Sequence, residues 1–183
     1  PTVITDEFVR RIAATGKVCP HFHLSLQSGC DKTLKNMNRK YDTAAFYACT
    51  QRLERHFPGC ALTADLITGF PGETLEDQAE TLSFIRRIGF AQMHIFPYSV
   101  RPGTKAETMP GQVPKAEKAR RAHEAQAVAE ELRCAYLEKQ VYRVQMSLLT
   151  AAACYDSRGF FRCSKSMVIN IYRISHLQSK PGS

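Results

Sequence analysis

The sequence predicts an α/β chain: three parallel strands joined by helices, followed by a smaller β-rich unit. Three observations predict it. Apolar runs of strand length alternate with segments of helical period, which implies crossover connections and a parallel sheet. Each of the three runs ends on a polar, glycine-bearing turn. After Gln140 the helical period gives way to alternation of two, the signature of half-buried strands. Three strands are too few for a closed barrel and meagre for an open doubly wound sheet. Residues 1–137 therefore read as half of something larger.

The elements follow in order. Thr5-Asp6-Glu7 can cap a short helix with Phe8, Val9, Ile12 and Ala13 on its apolar face, ending near Gly16. Phe22 to Leu26 alternates as a strand and stops at Gln27-Ser28-Gly29. Asp31 caps one turn of helix. Asp42 caps a longer helix whose stripe is Phe46, Cys49, Leu53 and Phe57, broken by Pro58-Gly59. Ala61 to Thr68 is the second strand, closed by Gly69-Phe70-Pro71-Gly72. Thr74 and Asp77 form a capping box ahead of the face Leu75, Ala79, Leu82, Ile85 and Ile88. Gln92 to Phe96 is the third strand, and a turn-rich stretch from Pro97 to Pro110 follows. Pro114 opens a long Ala-rich helix to about Lys139. Its Lys118, Arg120, Arg121 and His123 are interleaved with Glu117 and Glu124, a mixture that suits an exposed scaffold helix. Beyond it, Val141–Thr150, Gly159–Cys163 and Met167–Ile174 read as strands of a unit over 138–177, small enough to be marginal alone. Residues 178–183 read as a frayed tail.

The 183 residues carry a net charge of +8, and the pI is near 9.3. Residues 140–183 hold six basic side chains against the single acid Asp156, whereas the first 139 hold nineteen against sixteen. The tail is the basic part. Arg158, Arg162 and Lys165, with Tyr155, Phe160 and Phe161, suit phosphate contact and base stacking, although a solvated basic face accounts for them equally. Seven cysteines are scattered, none in C-x-x-C spacing. With no signal peptide and no membrane-spanning apolar run, the expected compartment is the cytoplasm, with reduced thiols. Cys19, Cys30, Cys49 and Cys60 are expected to be buried and inert. His21 and His23 share one strand face and could pair on a metal, although this is the weaker reading. The chain opens on Pro1 in mid-pattern, so a missing upstream segment is expected.

In a parallel sheet, ligands bind at the carboxyl ends of the strands. Those ends carry Leu26-Gln27-Ser28-Gly29, Asp65 to Thr74, and Phe96 to Thr104. Each has glycine where a backbone can approach a ligand and polar side chains beside it. A binding site and ordinary strand–helix turns are both open readings of these segments.

His21-Phe22-His23-Leu24-Ser25-Leu26-Gln27-Ser28-Gly29-Cys30-Asp31, Leu34-Lys35-Asn36-Met37-Asn38-Arg39-Lys40-Tyr41, Gly69-Phe70-Pro71-Gly72-Glu73-Thr74 and Tyr98-Ser99-x-Arg101-x-Gly103-Thr104 resemble the radical S-adenosylmethionine methylthiotransferases. The first two are most similar to the MtaB-like branch, which acts on threonylcarbamoyladenosine beside the tRNA anticodon. The resemblance covers Pro1 to about Gln140. It implies the C-terminal half of a radical SAM partial (β/α) barrel, with S-adenosylmethionine held by Gln27, Ser28, Asp65, Gly69, Tyr98, Ser99 and Arg101. Arg39 could meet a phosphate or the cofactor carboxylate, and a surface ion pair is an equally open reading. The complete enzymes of that family hold two [4Fe-4S] clusters, one through C-x-x-x-C-x-x-C, a spacing not found in this chain. The resemblance thus implies a missing N-terminal, cluster-binding half, tRNA as substrate and no activity of this chain alone. A TRAM domain, a small RNA-binding β-barrel, normally follows the family's barrel. Gly159 to Val168 echoes it without the family's glycine or Asn-Tyr pair, so a shortened TRAM-like unit and an unrelated tail both stay open. The rival to an enzyme is a non-catalytic RNA-binding or split-subunit partner protein.

Overall fold

The computed structural model describes residues 2–152, 160–164 and 167–170, with side chains described as far as residue 147. Two units divide the chain, Pro1–Leu137 and Glu138–Ser183. In the first, α1 (Asp6–Ala14) precedes β1 (His21–Gln27), α2 (Asp31–Asn36) and α3 (Thr43–His56). Then come β2 (Ala61–Thr68), α4 (Leu75–Ile88), β3 (Gln92–Pro97), a 3-10 turn (Lys105–Glu107) and α5 (Lys115–Ala152). The strands form one parallel sheet in the order β1-β2-β3.

One sheet face is dry. Leu24 and Leu26 of β1 and Leu62, Ala64 and Leu66 of β2 pack with Phe46 and Leu53 of α3, Ile85 of α4 and Val128 of α5. The opposite face carries His21, His23 and Ser25 on β1, Thr63, Asp65 and Ile67 on β2, and His94 and Phe96 on β3. Strict alternation sorts the two sets, because successive side chains point to opposite sides. The pairing of β1 with β2 slips between Ser25 and Gln27, a bulge that re-aims the strand where it ends.

Caps explain the helix starts. Asp42 accepts from the Ala45 N–H at 2.7 Å, and Thr74 and Asp77 make the reciprocal capping box of α4. Asp31 does not cap α2 with its side chain: the N-cap is Cys30, and the Asp31 carboxylate accepts from Thr43 N–H, pinning the start of α3.

Three further expectations are corrected. The buried face of α4 is Asp77, Gln78, Thr81, Leu82, Phe84 and Ile85, whereas Leu75 is 57% exposed and Ala79 lies outside. Hydrogen bonds cause the rotation: Thr81 meets Ser28, and Gln78 donates to the Arg121 carbonyl. Cys30, Cys49 and Cys60 are buried as expected, but Cys19 is exposed. Val141–Thr150 is not a strand, because α5 runs through it to Ala152. Extending an existing helix adds one hydrogen bond per residue with no new nucleation cost. Gln145, Met146, Leu148 and Leu149 are good helix formers that outweigh the valines.

In the second unit, β4 (Phe160–Ser164) and β5 (Met167–Asn170) pair antiparallel, Phe160 opposite Asn170. Residues 171–183, including the expected frayed tail, lie outside the described residues, as do the side chains of Arg158, Arg162 and Lys165.

Candidate functional site

A cavity of about 600 Å³ opens at the carboxyl ends of the strands. Gln27 closes β1 on one side, and Tyr98, Ser99 and Arg101 follow β3 on the other. Arg39 reaches it from the α2–α3 turn, and Ile67, Phe96 and Pro97 supply apolar wall. Four separate stretches of sequence thus converge on one hollow.

Gln27 sits at φ +67°, a left-handed conformation that a non-glycine residue rarely adopts. It lies at the bulge, and the neighbouring Ser25 and Leu26 carbonyls accept from the Tyr41 hydroxyl at 2.6 and 2.9 Å. Burial pushes the Tyr41 hydroxyl pKa up, with Arg39 pulling the other way, so it stays a donor at neutral pH. Tyr98 is fixed by its N–H to the Thr68 carbonyl at 2.8 Å and by its ring against Phe70. The Lys118 ammonium lies 4.8 Å from the ring centroid. The Tyr98 hydroxyl is buried without a hydrogen-bond partner among the described residues.

Three other residues expected at the site are placed off this cavity. Ser28 is buried, its hydroxyl facing Thr81 and accepting from Cys30 N–H. Asp65 stands on the open sheet face with its carboxylate 3.3 Å from His23 Nε2. Gly69 takes φ +70° in the turn after β2, where a Cβ would lie 2.6 Å from Lys118 Cγ. Its N–H donates to Glu73 Oε1 at 2.8 Å.

That bond belongs to a buried network which the mixed charge of α5 conceals. Arg121 Nη1 donates to Glu73 Oε1 at 2.9 Å and to the Glu73 and Thr74 carbonyls, while Nε donates to Glu117 at 2.8 Å. The Arg121 and Glu73 side chains are 6% and 3% exposed. Burial pushes the Glu73 carboxyl up, against the pull of the Gly69 N–H and Arg121. The network anchors α5 to the loop after β2.

His21 and His23 both face the Thr63 hydroxyl, at 3.2 and 3.0 Å, and His23 also faces Asp65. Among the described residues the grouping of three metal-capable side chains is Cys30, Asp77 and Glu80. Its Asp77 is already held by Lys32 at 2.7 Å and the Thr74 N–H, and burial raises the Cys30 pKa. With one thiol there, the described residues do not fit an iron–sulfur cluster. They do fit a ligand of nucleoside and amino-acid character. The cavity offers guanidinium groups for a carboxylate and an apolar wall for a ring.

Residues 1–85 match the family model described as the radical SAM superfamily. The likeness to that superfamily covers β1, β2 and most of α4. The chain shares its fold with the radical SAM coproporphyrinogen III oxidase of Escherichia coli, with a TM-score of 0.59 at 19% identity, over 71% of this chain and 30% of that one. The chain is also similar to curated proteins named tRNA-2-methylthio-N(6)-dimethylallyladenosine synthase. The one from Oleidesulfovibrio alaskensis is 40% identical over 159 residues, which is 87% of this chain and 34% of the relative. That from Mycobacteroides abscessus is 40% identical over 79% of this chain and 28% of the relative. The Mycolicibacterium paratuberculosis relative is 47% identical over 63% and 22%. The chain thus spans about a third or less of these relatives' length. Their names support the methylthiotransferase family without singling out its threonylcarbamoyladenosine branch. Residues 127–183 match a second family model, described as the LytTr DNA-binding domain. Among the described residues no helix is long and apolar enough to cross a membrane.

Proposed function

We propose that this chain is part of a tRNA methylthiotransferase that holds S-adenosylmethionine in the cavity at the strand ends. The observation that carries the reading is the convergence of Gln27, Tyr98, Ser99 and Arg101, from separated motifs, on one hollow of about 600 Å³. The Arg101 guanidinium pairs with the cofactor carboxylate as a planar fork. The Gln27 amide and Ser99 hydroxyl supply both donors and acceptors, and Ile67 and Phe96 give a ring its apolar wall. When bound, S-adenosylmethionine supplies the radical and methyl chemistry of the superfamily. The cluster ligands belong to a part of the enzyme beyond these residues, so the 183-residue chain alone is expected not to turn over.

The nucleoside we assign is N6-threonylcarbamoyladenosine, methylthiolated at carbon two beside the anticodon, because the His21–Asp31 and Leu34–Tyr41 stretches resemble that branch. The compartment is then the cytoplasm, where tRNA is modified. The relatives' printed names favour N6-dimethylallyladenosine as the second reading. Nucleoside mass spectrometry of tRNA, from cells with and without the gene, separates them. A gene-dependent methylthio group on threonylcarbamoyladenosine supports the assignment. The same gain on dimethylallyladenosine keeps the reaction and changes the substrate. No gene-dependent methylthio nucleoside overturns the proposal. For the second unit, the LytTr match favours nucleic-acid contact, consistent with the basic Arg158, Arg162 and Lys165; a TRAM-like unit would predict the same contact.

A further inference from the structure

Between α2 and α3 the chain makes a tightly held turn. The N–H groups of Met37, Asn38 and Arg39 donate to the Thr33, Lys35 and Leu34 carbonyls, each at 2.9 Å. The C-terminal carbonyls of α2 are thereby satisfied and need no cation. Asn38 turns the chain at φ +57°, and the Tyr41 hydroxyl ties the turn to the end of β1. Lys35, Arg39 and Lys40 project from it, all exposed. Among the described residues none of the three stands within ion-pair distance of a carboxylate, although such pairs recur elsewhere on the surface.

These cations line an open hollow of about 620 Å³ together with Asp31 and Asp42. Both carboxylates accept a backbone N–H, from Thr43 and Ala45 at 2.7 Å, and keep their charge, so the three cations outnumber the acids by one across the hollow. Arg39 also lines the neighbouring cavity. The two hollows share that one guanidinium.

We infer that the Lys35–Tyr41 turn is a phosphate clasp, in which Lys35, Arg39 and Lys40 hold the backbone of a single-stranded RNA whose nucleoside is presented to the adjacent cavity. The inference rests on the reading of that cavity as the reaction site. The Lys40 ammonium donates to Asn38 Oδ1 at 3.0 Å, a neutral partner that leaves its charge in place. Phosphodiesters carry a permanent charge that surface cations without a carboxylate partner attract, and such contacts fix position without reading sequence. A pinned turn loses little freedom when a strand settles on it.

The test uses the full chain, a short fluorescent single-stranded RNA and anisotropy titrations across a salt series. Each phosphate contact contributes about 0.7 to the slope of log affinity against log salt for a single strand. Lys35→Gln/Lys40→Gln should lower that slope by about 1.4, roughly a 7-fold difference across a fourfold change in salt. Arg10→Gln/Lys17→Gln removes the same charge from exposed positions elsewhere and should leave the slope as it was. Circular dichroism checks that both variants fold. Equal losses in the two double variants, an unchanged slope in the first, or no measurable RNA binding by the parent chain each overturn the clasp. S-adenosylmethionine binding is measured in parallel. Its absence, with the slope change intact, strikes the cavity reading and leaves the clasp standing.

Discussion

Replacing Arg121 by Leu removes the cation from a side-chain pair that is almost fully enclosed. The guanidinium donates to Glu73 at 2.9 Å, to Glu117 at 2.8 Å and to two backbone carbonyls. Leucine supplies none of these and leaves the Glu73 carboxylate buried beside the lone Gly69 N–H. Removing one partner of a buried pair costs roughly 3–5 kcal/mol, because the remaining charge is uncompensated. With a urea dependence of about 2 kcal/mol per molar, the unfolding midpoint should fall by roughly 1.5–2.5 M. Glu73→Gln keeps an acceptor for Gly69 while removing the charge. Adding it to Arg121→Leu should therefore restore at least about 1 kcal/mol, a coupling typical of contacting residues. Urea titrations of the parent, both single variants and the double variant supply the numbers. A loss below about 1 kcal/mol for Arg121→Leu, or simple additivity in the double variant, would refute the claim that this network anchors α5.

Three other expectations follow from the same structure. Hydrogen bonds from Arg120 and Arg121 hold the Glu117 carboxyl down at about 2, against an ordinary 4.5. Its contribution to stability is thus present above pH 4.5 and lost as the pH falls toward 2; unfolding midpoints over that window should slope less in Glu117→Gln. Gly69→Ala should cost about 1–3 kcal/mol from its positive φ and the contact with Lys118. Adding Lys118→Ala should recover the steric share alone, as thermal unfolding of the two variants would reveal. Burial, with Glu54 adding to it, pushes the Cys60 thiol up to about 12. At pH 8 a thiol reagent should therefore label the exposed Cys19 and Cys134 in the folded chain and spare Cys60, as peptide mapping can check.

The sheet was legible because its strands alternate in period and end on glycine turns, and Asp42 and Thr74 announced their helices by capping chemistry. The face of α4 was not legible. Its buried residues include Asp77, Gln78 and Thr81, which pack inward because Lys32, Arg121 and Ser28 receive them, and a hydrophobic pattern cannot register polar residues with tertiary partners. The stretch after Gln140 misled for the opposite reason, since alternation over ten residues also fits a helix already under way. Of the cavity, Gln27, Tyr98, Ser99 and Arg101 were found in the strand-end motifs. Ile67 and Phe96 were missed, yet they carried a signal: they continue the polar face of β2 and β3 as apolar residues where the strands end. Nothing local marked Arg121 as buried, because Glu73 lies 48 positions away.

The backbone of Gln27 has a consequence for anyone selecting sturdier variants of this chain. Glycine would relax the left-handed conformation there, by up to about 1 kcal/mol if strain at that position is typical. A library sorted only on heat resistance would therefore drift toward glycine at position 27, and the winners would have traded away the one amide that β1 presents to the cavity. Under the cofactor role proposed for Gln27, sorting on ligand retention would keep glutamine there, and thermal robustness and occupancy of the hollow would pull this single residue in opposite directions.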